Sequence, residues 1–429
     1  MLSNKNFLYS KLKFIFLYII FFSSNIFSQN INSDFILKSS LSTRTTGTFK
    51  VLAVMVQFKS DRDTLTTGDG TFDLSNKYKD SIIDAPPHDI QYFTSHLKFL
   101  KNYFFKVSDG KVNIDFFIPD KVYTLPDSMR RYGSSKSNDY SKLAELAVDA
   151  WKLVDKESPE IDFSKYDFFF IFHAGAGKDV DLASIYGADP APYDLPSITF
   201  NLNSFKKYIN NNFDGISVRN GNFKITNTAI LPEYEYREIK SYGSTTLVEL
   251  SINGLIVSSF GSLLGLPDLF NTKTGATAIG RFGLMDGQSI FSYNGIFPPE
   301  PSAWEKVYLG WVNPITITSG EHLIDISAHR TDGQTSNLQI YKFPISSREY
   351  FLVECRYRDP GNNGLKLKVE NRGIEKVYNI SQDTVGFNQF GNISLIDGVV
   401  TDVDDYDWSL PGGFDYKKNK LYGGILIWH

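Results

Sequence analysis

Cysteine is almost missing from this sequence. Among 429 residues there is one cysteine, Cys355. A single thiol excludes an intrachain disulfide, so the stability of the chain must come from packing even in an oxidising compartment. Cys355 lies at the end of the apolar run 350–355. This position predicts a buried, inert thiol rather than a nucleophile.

An excess of positive charge is missing as well. The chain has 44 Lys and Arg against 48 Asp and Glu, which gives a formal net charge of -4. A mildly acidic chain has little attraction for a phosphate backbone. We therefore expect no nucleic-acid binding.

Long hydrophobic runs are missing beyond the N-terminus. Residues 1–28 combine early lysines, an apolar core at 14–22 and a more polar end before Gln29, a pattern typical of a secretory signal. A membrane anchor is the alternative, although the apolar run is short for a span. We predict a secreted or cell-surface protein with no stable membrane span after signal removal. Losing residues 1–28 removes three lysines and moves the net charge from -4 to -7.

The rest of the chain divides into two regions of different character. Residues 29–47 are polar and rich in Ser and Thr, as in a linker. Strands and helices then alternate, which predicts a layered α/β or α+β domain over residues 48–315. Its predicted elements are strands at 50–58, 111–122 and 166–172 and helices at 89–105 and 140–154.

After Trp311, short apolar runs are separated by Gly, Pro, Asn and Asp. This pattern predicts a β-rich, sandwich-like module over residues 316–429. Its predicted strands are 322–328, 338–343, 350–357, 365–369 and 424–428. Because the sequence stops at His429 directly after an apolar run, we expect the natural module to continue.

Residues 244–264 carry most of the functional information. Their apolar residues recur at helical spacing, which predicts a buried helix. Ser244 and Thr245 are the predicted N-caps, Gly265 is the predicted C-terminal glycine, and Pro267 prevents the helix from resuming. One side of this predicted helix carries small residues: Ser251, Gly254, Ser258, Ser262 and Gly265.

Several motifs in this chain resemble one family of enzymes. The stretch SSFGSLLGLPDLF at 258–270 is similar to the active-site helix of the immune inhibitor A-type secreted metallopeptidases, a branch of the metzincins. That family has HExxHxxGxxD there. The sequence FGLMDGQS at 282–289 resembles the Met-turn of the family, and PSAWEKVYLGW at 301–311 resembles the end of its catalytic domain. Further similar stretches lie at 103–111, 172–177, 351–356 and 424–429.

The resemblance implies a metzincin-like fold whose zinc motif is degenerate. In HExxH, two His residues one helical turn apart bind one zinc, and the Glu is the general base for the zinc-bound water. The matching positions here are Ser258, Ser259 and Ser262, and only Asp268, at the third-ligand position, is retained. A neutral hydroxyl is a poor zinc ligand and cannot replace a carboxylate base. The resemblance also implies structural roles for Gly265 and Met285.

The sequence offers no substitute for this motif. Its histidines are at 88, 96, 173, 322, 329 and 429, and no two of them are four residues apart. His173, at the end of the predicted strand 166–172, joining Asp268 in a relocated metal site is an alternative, although such a histidine is more often structural. The serines lack a GxSxG elbow, so close packing explains them better than nucleophilic chemistry.

Three polar features have simple structural explanations. Asp268 follows Pro267 in a turn, where an Asx hydrogen bond suffices. Glu249 lies outside the motif and is expected to be a solvated or capping residue. Two acidic clusters, for which calcium is the alternative, are expected to be solvated loops because neither has EF-hand spacing. The clusters are Asp61, Asp63, Asp69 and Asp73, and Asp402, Asp404, Asp405 and Asp407.

Taken together, these patterns predict an exported, catalytically inactive metallopeptidase-like protein that needs no cofactor. We expect it to bind a peptide or protein in the former substrate cleft. An active metal-dependent endopeptidase with non-standard ligands is one alternative. A structural or adhesive surface scaffold is the other.

Overall fold

The computed structural model describes residues 44–76, 83–135, 139–180, 182–183, 187–241, 244–272, 274–330, 338–361, 363–380, 398–410, 413–414, 417, 419–421 and 423–429. The predicted signal and most of the predicted linker lie outside these ranges. The fold is mixed α/β, with several sheets and few helices. Within the described ranges, no helix has both the length and the apolar character needed to cross a bilayer.

The elements follow one another as β-strands with interspersed helices. The strands are β1 (Gly47–Gln57), β2 (Val112–Phe117), β3 (Val122–Thr124), β4 (Phe168–Ala176), β5 (Ile198–Phe200), β6 (Ile216–Val218), β7 (Phe223–Ile225), β8 (Thr228–Tyr234), β9 (Arg237–Ser241), β10 (Ser244–Val248), β11 (Ile315–Thr316), β12 (Tyr341–Pro344), β13 (Tyr350–Arg356), β14 (Leu365–Asn371), β15 (Ile374–Ile380), β16 (Val399–Val403), β17 (Gly413–Phe414), β18 (Lys420–Leu421) and β19 (Gly424–Trp428). The α-helices are α1 (Ile90–Val107), α2 (Ser141–Glu157), α3 (Leu202–Tyr208), α4 (Asn253–Leu263), α5 (Gly287–Ile290) and α6 (Ala303–Tyr308).

A mixed sheet forms the centre of the molecule. Its strands lie in the order β2, β1, β4, β8 and β5, with β3 also paired to β1. All these pairings are parallel except that of β5 with β8. β4 buries every residue and β1 buries most of its length, as expected for strands covered on both faces. The strands predicted at 50–58, 111–122 and 166–172 are confirmed, and the second of them is divided into β2 and β3.

Helices α1 and α2 cover this sheet. The Asp89 carboxylate caps α1 by accepting hydrogen bonds from the backbone N–H groups of Gln91 and Tyr92. A cap of this kind satisfies N–H groups that the first helical turn leaves without partners. Both helices bury one apolar face. Their predicted positions, 89–105 and 140–154, are confirmed to within a few residues.

The C-terminal region contains two larger sheets, β11–β12–β13–β19 and β15–β14–β16. The strands predicted at 338–343, 350–357, 365–369 and 424–428 are confirmed as β12, β13, β14 and β19. The strand predicted at 322–328 is wrong, because those residues are in no strand. Their alternating apolar residues find no sheet to cover, and Leu323 is fully exposed.

The β15–β14–β16 sheet packs on the first helix of the N-terminal region. The Tyr406 ring lies 4.7 Å from the Tyr103 ring of α1. The Asn102 side-chain amide donates a 2.8 Å hydrogen bond to the Thr401 carbonyl. The two predicted regions therefore contribute to one continuous apolar core.

Candidate functional site

Helix α4 contains Ser258, Ser259 and Ser262, the serines at the positions of the resembled zinc motif. It is shorter than the predicted helix 244–264. Ser244 and Thr245 are not N-caps, because they belong to β10, which pairs antiparallel with β9. Thr245, Thr246 and Val248 are β-branched and favour a strand. Glu249, expected to be a solvated or capping residue, is half-buried, and its carboxylate accepts a 3.4 Å hydrogen bond from the Ile83 N–H.

The three motif serines have no zinc-binding geometry. Ser258 and Ser259 are buried, and Ser262 is half-buried. The Ser258 hydroxyl donates a 3.0 Å hydrogen bond to the Leu255 carbonyl of its own helix. Its proton is therefore used within α4 and is not directed toward a ligand.

Gly265 lies in the turn that ends helix α4, directly after the C-cap residue Leu264, and is the C-terminal glycine that the sequence predicts. Gly265 has φ +102°, and its N–H bonds the Ser262 carbonyl while the Leu266 N–H bonds the Gly261 carbonyl. This pair of bonds is a Schellman motif, and its left-handed position favours glycine.

The next turn brings Asp268 to the surface. The protein around its carboxyl group nevertheless raises the pKa of Asp268 by desolvation. Among the described residues, no hydrogen bond or ion pair engages this carboxylate, so the predicted Asx hydrogen bond is not formed.

Met285 lies against the same helix. A Cβ placed on Gly261 would lie 3.0 Å from the Met285 sulfur, so helix and methionine are in close contact. The Met285 carbonyl accepts a 2.7 Å hydrogen bond from Leu269, and its N–H donates a 2.8 Å bond to the buried Glu305 carboxyl. Met285 is thus a packing residue between α4, the turn around Asp268 and α6.

The sequence predicted His173 at the end of a strand. In the structure it lies inside β4, which continues to Ala176. Burial lowers the pKa of His173 to about 4, so the ring is neutral near neutral pH. Its Nδ1 lies 3.0 Å from the Ala174 carbonyl. In the described part of the chain, no three His, Cys, Asp or Glu side chains gather in a metal-binding group, with Asp268 or elsewhere.

Two carboxyl groups near α4 were missed by the sequence analysis. Asp179 accepts hydrogen bonds from the N–H and hydroxyl of Ser197, both at 2.9 Å, directly before β5. Burial raises the pKa of Glu235 well above its ordinary value, and the neighbouring Asp179 raises it further. Protonated Glu235 then donates a hydrogen bond to Asp179. The sequence pattern that could have indicated Glu235 is the alternation EYEY at 233–236, which begins in β8 and continues past its end.

Asp179 and Asp268 lie near one tyrosine. Burial raises the pKa of Tyr140, and the charges of Asp179 and Asp268 contribute to that rise. The Tyr140 ring also packs edge-on against Tyr208 at the end of α3, with centroids 5.7 Å apart. Because α4 contacts β5, the end of α4, the edge of the sheet and the start of α2 meet here. We call this place the α4–β5 face.

The first acidic cluster is held by local hydrogen bonds. Asp63 binds the Arg130 guanidinium at 2.9 Å, and Asp69 accepts from the Thr71 hydroxyl at 2.7 Å. Backbone and side-chain hydrogen bonds lower the pKa of both Asp63 and Asp69. These carboxylates are therefore engaged by the protein itself.

The second acidic cluster is not the solvated loop that we predicted. Asp402 forms a 2.6 Å ion pair with Lys106 of α1. Asp405 and Asp407 are buried, and Asp407 is paired with Arg356 of β13. The prediction failed because residues far away in sequence bury Asp405 and Asp407 and supply the cations that pair with Asp402 and Asp407.

Comparison with known proteins adds no assignment. No protein-family model matches the sequence, and no curated protein matches it. The donor set can still be judged on its chemistry. Zinc takes three or four N, S or O ligands. The motif positions provide three serine hydroxyls and one carboxylate, so they do not fit zinc.

Proposed function

We propose that this chain is an exported, catalytically inactive relative of the immune inhibitor A-type metallopeptidases that acts by binding a peptide or protein. The observation that carries the proposal is the hydrogen bond of Ser258, at the first ligand position of the resembled motif. Its hydroxyl donates to the Leu255 carbonyl of α4. The packing of Met285 against Gly261 agrees with a site whose support is retained and whose donors are lost.

Hydrolysis would need groups that the motif positions do not supply. A zinc-bound water requires a bound metal and a general base to take its proton. Ser259, at the base position, is a buried hydroxyl with no capacity to accept a proton near neutral pH. The proposal of a metzincin-like fold is supported by the mixed α/β architecture, the order of the motifs and the position of α4 beside β5.

A binding role is supported by the α4–β5 face. β5 is the last strand in the order of the central sheet, and an edge strand offers backbone groups to an extended peptide. Asp179 and Asp268 place two carboxyl groups beside this edge. We therefore expect the bound segment to carry positive charge, since no described cation neutralises Asp268.

The first experiment is a measurement of zinc content and hydrolysis on the same preparation. The mature chain and the triple variant Ser258→His/Ser259→Glu/Ser262→His are incubated with excess Zn²⁺, desalted and read by elemental mass spectrometry. We expect no retained zinc and no peptide cleavage from the natural chain. Zinc gained by the triple variant would support the assignment of these positions to a lost zinc site.

Binding is measured separately, with fluorescent peptides of matched length that carry Lys or Glu. We expect the Lys peptides to bind the natural chain and Asp268→Asn to weaken this binding. Asp115→Asn should leave it unchanged, because Asp115 is an exposed carboxylate on β2, at the opposite edge of the central sheet from β5. Near-stoichiometric zinc in the natural chain would instead favour an active metallopeptidase. Absence of binding to any peptide would favour the scaffold function.

A further inference from the structure

The segment 312–330, which follows α6, contains a single buried residue. In residues 312–330, every residue except His329 is exposed or half-buried. The short strand β11 pairs with β12 at the start of this segment. Beyond it, residues 317–328 contribute no buried side chain, and His329 has only 4% of its surface exposed.

His329 lies between two carboxylates from different parts of the fold. Its Nδ1 is 2.6 Å from Glu300, which precedes α6, and its Nε2 is 2.9 Å from Asp109, in the turn between α1 and β2. Both partners are acceptors. A histidine can donate to two acceptors at once only when both ring nitrogens carry a proton. Because the pKa values of Asp109 and Glu300 are both lowered, both carboxyl groups are ionised, and the geometry then requires the charged form of His329.

Other charged groups surround this arrangement. Lys306 of α6 forms a 2.6 Å ion pair with Glu300. The Arg356 guanidinium of β13 donates a 3.2 Å bond to the Glu300 carbonyl, and Asp407 accepts a 3.2 Å bond from the Glu300 N–H. Among the described residues, the charged groups that interact with His329 or with its two carboxylate partners are Asp109, Lys111, Glu300, Lys306, Arg356, Asp405 and Asp407.

The balance of these charges favours the proton on His329. Burial alone lowers the pKa of His329, and Lys306 also lowers it. Glu300 and Asp109 outweigh both and raise the pKa of His329 to about 9. The unfolded chain titrates near pH 6.5. A group with a raised folded pKa stabilises fully below the unfolded value, and its contribution is lost as pH rises through about 9.

We propose that protonated His329, through its bonds to Asp109 and Glu300, holds residues 317–330 against the body of the protein. Loss of its proton releases this segment while the core remains folded. A neutral imidazole has one N–H and cannot donate to Asp109 and Glu300 together. Glu300 retains its ion pair with Lys306 when His329 is neutral, so the core around Glu300 remains folded. The inference is independent of the proposed binding function.

The test is limited proteolysis of the full chain by subtilisin, with an unstructured peptide as the reference substrate at each pH. Cleavage within 317–330 is located by mass spectrometry, and far-UV circular dichroism monitors the core. Between about pH 8 and pH 10, we expect the relative cleavage rate of the natural chain to rise about tenfold. His329→Gln should be cleaved at this high rate already at neutral pH.

His322→Gln is the matched control, because His322 is exposed in the same segment and its Nε2 lies beside the Ser319 carbonyl of that segment, 2.6 Å away. We expect it to behave as the natural chain. If His329→Gln does not fold, Asp109→Asn decides, since Asp109 is exposed and its change removes one of the two negative charges that hold the second proton on His329. Protection of 317–330 that is independent of pH, or unchanged in His329→Gln or Asp109→Asn, would overturn the proposal.

Discussion

At the scale of single residues, burial alone does not decide the charge of a histidine. His173 and His329 are both buried, but their surroundings push the pKa in opposite directions. His173 has a backbone carbonyl beside Nδ1 and no described partner at Nε2, so desolvation dominates. His329 faces two carboxylates, which outweigh the same desolvation. The charge follows from the partners of each ring.

His173 should make the protein sensitive to acid. Its folded pKa of about 4 is below the unfolded value near 6.5, so the unfolded state binds the extra proton. Stability should fall as pH decreases from about 6.5 to about 4, by up to about 3 kcal/mol. Urea unfolding at several pH values measures this loss. His173→Leu should flatten the dependence and His322→Leu should not; an equal slope in all three proteins contradicts the prediction.

At the scale of elements, α4 is defined by how closely its neighbours approach. A Cβ on Gly254 would lie 1.8 Å from the Ile290 carbonyl oxygen, which belongs to the backbone of α5. At Gly261 the nearest atom is the Met285 sulfur, at 3.0 Å. The small residues of this helix therefore allow tight packing, which is the explanation that the sequence analysis preferred to a serine nucleophile.

This difference gives a matched pair of substitutions. Gly254→Ala should destabilise the protein by about 3 kcal/mol, because a carbonyl in a helix cannot move aside. Gly261→Ala should cost much less, because the methionine side chain adapts and alanine favours the helix. Thermal unfolding of both variants measures the difference. Equal losses would mean that the contact of Gly254 with α5 is looser than described.

The predictability of these elements depended on the length of their patterns. The long periodic segments, such as α1 and β1, could be predicted from spacing alone. Strands β5, β6 and β7, between residues 198 and 225, have three residues each, so they are too short to show a periodic pattern in the sequence. The start of the predicted helix 244–264 was wrong because Leu247 and Val248 fit a helix and a strand equally well. The hypothesis of lost zinc donors needs only the sequence around Ser258, whereas the position of Asp179 near α4 results from folding and could not be predicted from the sequence.

At the scale of the whole molecule, one side chain joins three parts of the fold. The Asn253 amide at the start of α4 donates to the Ile296 and Val400 carbonyls, at 3.0 and 2.9 Å. Its oxygen lies 2.7 Å from Nδ1 of His96 on α1. Because Val400 belongs to β16, the N-terminal and C-terminal regions meet at this residue. We expect them to unfold together.

Asn253→Ala tests this coupling. It removes the hydrogen bonds of Asn253 to two buried carbonyls and to Nδ1 of His96, and a loss of about 3 kcal/mol follows from the buried polar groups that are left behind. Differential scanning calorimetry should show one transition in the natural chain and one transition at lower temperature in the variant. Asn211→Ala, at an exposed turn, is the control. Two separate transitions, only one of which moves, would contradict a shared core.

The contact between α1 and the strand β16 also sets an order in time. Asn102 and Thr401 are 299 positions apart in the chain. At about 5–20 residues per second, roughly 15 to 60 s of synthesis separate the two residues. Throughout that interval the outer face of α1 has no covering sheet. The nascent chain must therefore be shielded from its neighbours for most of its synthesis, and its core can close only when the last third of the chain has emerged.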